Sequence, residues 1–156
     1  MENLKILFLD IDGVLNSARY DALRLPDQGN IDETRLPLLQ RIIGETQAKI
    51  VLSSSWRKQW DKNDALCSEN GAAINRLFRA HGLSVYDKIP DFPSNDRAEE
   101  IRAWLKQNAS VTRFVILDDI RFGWGDLQDF VVNTNSRIGR GLEERHAEQA
   151  IRLLNG

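Results

Sequence analysis

The sequence predicts an α/β protein in which helices cover both faces of a parallel sheet, giving three layers. Three observations carry that prediction. Short, nearly continuous apolar runs recur along the chain, and such runs suit strands buried on both faces. Segments with helical apolar spacing alternate with them. Three of the runs end in clustered carboxylates or hydroxyls.

Residues 4–9, LKILFL, read as the first buried strand, followed by Asp10, Ile11, Asp12 and Gly13. In PLLQRII, Leu38, Leu39, Ile42 and Ile43 fall at helical spacing, with Asp32 or Thr34 upstream as a cap. AKIVL, 48–52, reads as a second buried strand, ended by Ser53, Ser54 and Ser55. AAINRLFRA places Ala73, Ile74, Leu77 and Phe78 on one helix face, and Gly82 stands where a C-terminal cap glycine belongs. DRAEEIRAWLKQ opens with the capping-box pair Asp96 and Glu99, and its stripe is Ala98, Ile101, Trp104 and Leu105. RFVIL, 113–117, is a third buried strand, ending in Asp118-Asp119; FVVNT is a fourth. LEERHAEQAIRLL closes the pattern as an amphipathic helix with Ala147, Ala150, Ile151 and Leu154 facing inward.

The composition, 42% hydrophobic and 28% charged over 156 residues, suits one globular domain, taken as residues 1–156. A formal net charge of −2 gives no basic excess that advertises nucleic acid, although a local basic patch is compatible with it. The single cysteine, Cys67, excludes an internal disulfide. It also lacks a basic neighbour that would activate it. No apolar run approaches the length of a membrane span, and ILFL is too short for a secretory signal. The expectation is a soluble, cytoplasmic protein with no membrane partner. The oligomeric state stays open.

Ligands of open parallel sheets bind beyond the carboxyl ends of the strands. If the three polar-ended strands are neighbours, Asp10, Asp12, Asp118 and Asp119 converge there with the serines. Four close carboxylates repel one another. A hard cation with oxygen ligands removes the repulsion, and Mg²⁺ fits that donor set. Each signal alone has a plainer reading: a turn, a loop, or the cap of the next helix. Their joint placement at one sheet edge is what points to a catalytic cation site.

LFLDIDGVLN resembles the first motif of the haloacid dehalogenase (HAD) superfamily. IVLSSS resembles its second motif, and VILDD its fourth. The combination DIDGVLNS…VLSSSWRK…EIRAWL…ILDD is most similar to the small HAD-type domains found with RNA-repair proteins. The resemblance implies a Rossmann-like fold, a Mg²⁺ cofactor and phosphoryl chemistry. Asp10 would be the nucleophile that forms an aspartyl-phosphate, and Asp12 the general acid and base. An acid at this second position marks phosphatases in the superfamily. Gly13 would turn the chain so that both carboxylates face one pocket. Ser53 would hydrogen-bond the transferring phosphoryl group, with the Ser54 backbone N–H adding a donor. Asp10, Asp118 and Asp119 would hold the metal, Asp12 joining through its backbone carbonyl; whether Asp118 or Asp119 binds directly is open. The third motif usually supplies a lysine. Here Arg97 stands in that place, with Lys88 and Lys58 as competitors.

Arg57 is expected near a substrate phosphate. Core packing is the main expectation for Trp56 and Trp60, with base stacking as the alternative for Trp56. Asn16 either touches substrate or caps a turn, and Asp126 is a remote further metal candidate. His81 and His146 read as surface or half-buried residues without partners. Residues 17–31 are too few for a cap domain, and 58–94 have room for a helix and a loop. A capless, open site follows, suited to a phosphate on a large molecule. The substrate classes considered are a polynucleotide end, a nucleotide and a sugar phosphate. The alternatives to a phosphatase are a non-catalytic phosphate- or protein-binding module on the same fold and a phosphoacceptor signalling domain.

Overall fold

A computed structural model describes residues 3–156. Five strands form one sheet: β1 (Leu4–Leu9), β2 (Lys49–Leu52), β3 (Val85–Lys88), β4 (Val111–Asp118) and β5 (Val131–Asn133), in the order β3-β2-β1-β4-β5. Every pairing is parallel. The helices are α1 (Ala18–Leu23), α2 (Leu36–Thr46), α3 (Glu69–Ala80), α4 (Arg97–Gln107) and α5 (Glu144–Asn155).

β1 shows how the layers arise. Side chains alternate across a strand. Leu7 and Leu9 pack with Ile50, Leu52, Val115 and Leu117 into a core that includes residues of α2, α3 and α5. Ile6 and Phe8 pack on the opposite face with Ala98, Ile101 and Trp104 of α4. The Phe8 and Trp104 rings meet edge to face at 5.5 Å, a favoured aromatic geometry. All of these residues are buried. A strand covered on both faces needs an unbroken apolar run, and LKILFL supplies it.

The structure adds two elements to the sequence reading. β3 makes the segment 58–94 part of the sheet, so this stretch is a βα unit and not an insertion over the site. α1 buries no residue, and its Ser17 cap accepts the Tyr20 N–H at 3.2 Å. Helix starts differ in detail. Asp32 caps a 3₁₀ turn, Glu33–Arg35, ahead of α2, while α2 itself has no side-chain cap and begins with proline in its first turn. Asp96 accepts the Ala98 and Glu99 N–H groups, but the Glu99 carboxylate accepts from Ser94 instead of returning to Asp96. His146 corrects its sequence reading: it is buried, and its Nδ1 accepts the Glu143 N–H at 2.9 Å, closing a capping box on α5.

Candidate active site

Because β1 lies between β2 and β4, the ends of the three polar-tipped strands are adjacent. The first residue beyond each ladder is locked to its neighbour. The Asp10 N–H donates to Leu117 O at 3.1 Å, and the Ser53 N–H donates to Leu9 O at 3.0 Å. These bonds continue the sheet by one residue and fix where the polar side chains start.

Asp10 is nearly inaccessible to solvent, and one of its carboxylate oxygens accepts the Ile11 N–H at 2.9 Å. Asp118 is fully buried; its Oδ1 accepts the Ile120 N–H at 2.9 Å. Asp119 is half-buried and accepts from the Ser136 hydroxyl at 3.1 Å. Oxygens of Asp10, Asp118 and Asp119 lie within 4.8 Å of one another. Arg97, the first residue of α4, reaches into this cluster. Its Nη1 stands 2.8 Å from Asp118 Oδ2 and 3.4 Å from Asp10 Oδ2.

Burial, and then the Asp118 charge, push the Asp10 carboxyl up to about 8, against the opposing pull of Arg97. Burial also raises Asp118, with Arg97 again opposing. Arg97 itself is raised: the charges of Asp10 and Asp118 and the bond to Asp118 outweigh its desolvation. One cation serves two buried carboxylates and a third nearby. The donors that remain are hard oxygens on a compact cluster, which is the chemistry a Mg²⁺-like cation takes.

Asp12 faces a different environment. It is exposed, and it is not part of the three-aspartate cluster. Its Oδ1 accepts from the Asn16 amide at 2.9 Å, and its Oδ2 from the Trp56 indole N–H at 3.1 Å. Gly13 makes this division possible. Its φ of +88° suits glycine, and a Cβ there would overlap the Asp119 carboxylate. The turn is tied by the Gly13 N–H to Asn16 Oδ1 at 2.8 Å and by the Thr134 hydroxyl to Gly13 O at 2.6 Å. The two carboxylates of the motif are thus separated, one into the acidic cluster and one toward solvent.

Ser53 is completely buried, and its hydroxyl has no hydrogen-bond partner among the described residues. A buried hydroxyl without a partner is costly, and a phosphoryl oxygen or a bound water would satisfy it. The Ser54 side chain caps the next turn, accepting the Trp56 N–H at 3.1 Å.

Arg57 stands against the serine loop. It is buried, its Nη2 pairs with Glu100 at 3.0 Å and Asp91 at 2.7 Å, and its Nη1 donates to Ser53 O and Ser54 O at 3.1 Å each. It ties the serine loop to Glu100 and Asp91, and its buried Nε has no hydrogen-bond partner among the described residues. Lys88 is engaged similarly, donating to Arg57 O at 3.1 Å and Trp60 O at 2.8 Å. Lys58 is exposed. Asp126 is outside the cluster, paired with Arg102 at 2.6 Å.

Trp56 and Asn16 are the two groups that hold Asp12; the sequence reads Trp56 mainly as a core residue and Asn16 as either a substrate contact or a turn cap. Trp56 does join the core, but its indole N–H serves Asp12. A Trp directly after a hydroxyl cluster is the signal that was available. Nothing in the sequence singles out Thr134 or Ser136, which reach the site from beyond β5.

Residues 6–147 match the family described as the HAD domain in Swiss Army Knife RNA repair proteins. The chain belongs to that family. No curated protein and no solved structure gives a significant match. The HAD fold accounts for the five-stranded parallel sheet with helices on both faces. Among the described residues, no helix is long and apolar enough to cross a membrane.

Proposed function

We propose that this HAD domain is a Mg²⁺-dependent phosphomonoesterase that works through an aspartyl-phosphate on Asp10, with a phosphorylated nucleic-acid end or nucleotide as substrate. The observation that carries the reading is the separation of Asp10 from Asp12. One acid is sunk among carboxylates beside a cation. The other is two residues away, exposed and held by two donors. Asp10 stays ionised for attack beside the metal cation that the cluster would hold, and Asp12, outside the cluster and open to solvent, can exchange a proton with the leaving oxygen and then with water.

An Asp10 oxygen attacks phosphorus as the bond to the leaving oxygen breaks. Asp12 gives its proton to that oxygen. Water then attacks the aspartyl-phosphate, Asp12 takes a proton from the water, and phosphate leaves with Asp10 restored. Arg97 pairs with equatorial phosphoryl oxygens, where charge is spread during transfer; its position beside Asp10 and Asp118 supports this role. The unpartnered Ser53 hydroxyl is a donor for the same group. Asp10, Asp118 and Asp119, with the Asp12 backbone carbonyl, would hold Mg²⁺. When bound, the ion offsets the repulsion between the carboxylates and a phosphate dianion.

Phosphate release from p-nitrophenyl phosphate and from 3′- and 5′-phosphorylated oligonucleotides tests the reading. Turnover should require Mg²⁺, stop in chelator and vanish in Asp10→Asn. Full turnover in a folded Asp10→Asn protein would refute the covalent route.

A further inference from the structure

We infer that single-stranded polynucleotide binds along a groove on the Asp119 side of the site, its phosphates on Arg121 and Arg137 and a base against Phe122. This deepens the phosphatase reading and rests on it for the position of the terminal phosphate. The groove encloses about 580 Å³ and runs from Asp119 between residues 120–122 and 134–138. A second cleft, about 270 Å³, begins at Arg97. Ile120 and Phe122 line both clefts, so they form the ridge between them.

Phe122 is 84% exposed and Ile138 91%. The ridge is nevertheless braced. Ile120 O accepts from the Trp124 indole at 2.8 Å and the Asn133 amide at 2.6 Å, and the Ile120 N–H donates to Asp118. Trp124 is buried beneath the turn, so the core position there is filled and Phe122 is left presented to solvent. Arg121 and Arg137 are exposed, and among the described residues neither has a carboxylate partner. Two guanidinium groups without carboxylate partners therefore line the same groove as an exposed aromatic ring.

That combination matches the chemistry of a single strand. Cations follow the phosphates, and an aromatic face accepts any base. Among the described residues, the only acid lining the groove is Asp119, which belongs to the acidic cluster at its head. A strand whose terminal phosphate reaches Asp10 would lay its following nucleotides here.

The test uses two measurements on the whole chain. The first is anisotropy of a short fluorescein-labelled oligouridylate, which needs no catalysis. The second is the ratio of kcat/KM on a phosphate-terminated oligonucleotide to that on p-nitrophenyl phosphate. Phe122→Ala should weaken oligonucleotide binding about tenfold. Arg121→Ala and Arg137→Ala should each flatten the log–log salt dependence by about 0.7. The kcat/KM ratio should fall in all three variants and hold in Arg152→Glu, a charge change on the remote helix α5. Oligonucleotide binding that the groove variants leave unaltered overturns the inference. So does a phosphoserine peptide turned over more efficiently than any oligonucleotide and sensitive to the same variants. Groove-dependent oligonucleotide binding with no phosphate release from p-nitrophenyl phosphate or from either phosphorylated oligonucleotide would remove the phosphatase reading and leave the groove standing.

Discussion

Removing Glu100 should destabilise the protein more than a residue outside the hydrophobic core ordinarily does. The Glu100 side chain is 3% exposed and that of Arg57 is 5% exposed, with 3.0 Å between the charged groups. Glu100 Oε2 also accepts the Phe92 N–H at 2.8 Å. Glu100→Ala would leave the Arg57 charge buried with only Asp91, which is half exposed. It would also orphan the Phe92 N–H. Breaking a buried pair by removing one partner costs about 3–5 kcal/mol. For a domain of this size that is about 6–20 °C in Tm. Urea unfolding with and without the substitution measures it. The double variant Arg57→Met/Glu100→Leu should recover much of the loss, because an apolar pair leaves no buried charge unpaired. A Glu100→Ala protein within about 1 kcal/mol of wild type, the range of an exposed pair, would refute the account of this pair as a buried brace.

Arg97→Ala should lower kcat by about 100- to 1,000-fold, the scale for losing one electrostatic donor. Arg97→Lys should recover much of it, and Lys88→Ala should be mild by comparison; steady-state kinetics on one substrate decides. Trp56→Phe removes the indole donor to Asp12 and should cost about tenfold in kcat. The loss should be larger for an alkyl phosphate than for p-nitrophenyl phosphate, whose leaving group needs less protonation; equal losses would separate Trp56 from the general acid. In chelator, stability should fall with pH. Asp10 is raised from 3.8 to about 8, so between those values the native state holds a proton the unfolded chain has lost. The contribution is full below about 4 and is lost as pH rises through about 8. Thermal melts should show Asp10→Asn overtaking wild type toward the alkaline end, and Mg²⁺ stabilising wild type more as pH rises.

The parts legible in the sequence are those that the hydrophobic pattern writes twice, once as composition and once as period. LKILFL and RFVIL are buried on both faces and read as runs. α5 carries Ala147, Ala150 and Leu154 in a single buried stripe. β3 was not legible. VYDK is four residues at a sheet edge with one buried side chain, and a short edge strand carries little pattern. α1 buries nothing and has no stripe to read. The acidic cluster was legible because each strand end is marked locally. Its partition was not. That Asp12 turns away from Asp10 depends on Gly13, Asn16 and Trp56, which lie as far as 44 residues from Asp12 along the chain. The pairing of Arg57 with Glu100 was not legible for a related reason: the partner of a buried charge arrives from another element.

Those two residues also explain how a cation at the start of α4 is held in register with the strand ends. Arg57 pins the carbonyls of Ser53 and Ser54 at the end of β2. Through Glu100 it grips α4 three residues past Arg97. Arg97 closes the circuit onto Asp118 at the end of β4 and Asp10 at the end of β1. The serine loop on one side and the cation with two carboxylates on the other are therefore tied to the same first turn of α4. Glu100 touches no substrate atom in this arrangement; it is a positioning residue. Its removal should lower kcat even at temperatures where the variant is fully folded. Because Arg97 is the link through which it acts, the kcat losses of Glu100→Ala and Arg97→Ala should sum to more than the loss in the double variant. Strict additivity in that cycle would mean that α4 is positioned by its apolar stripe alone.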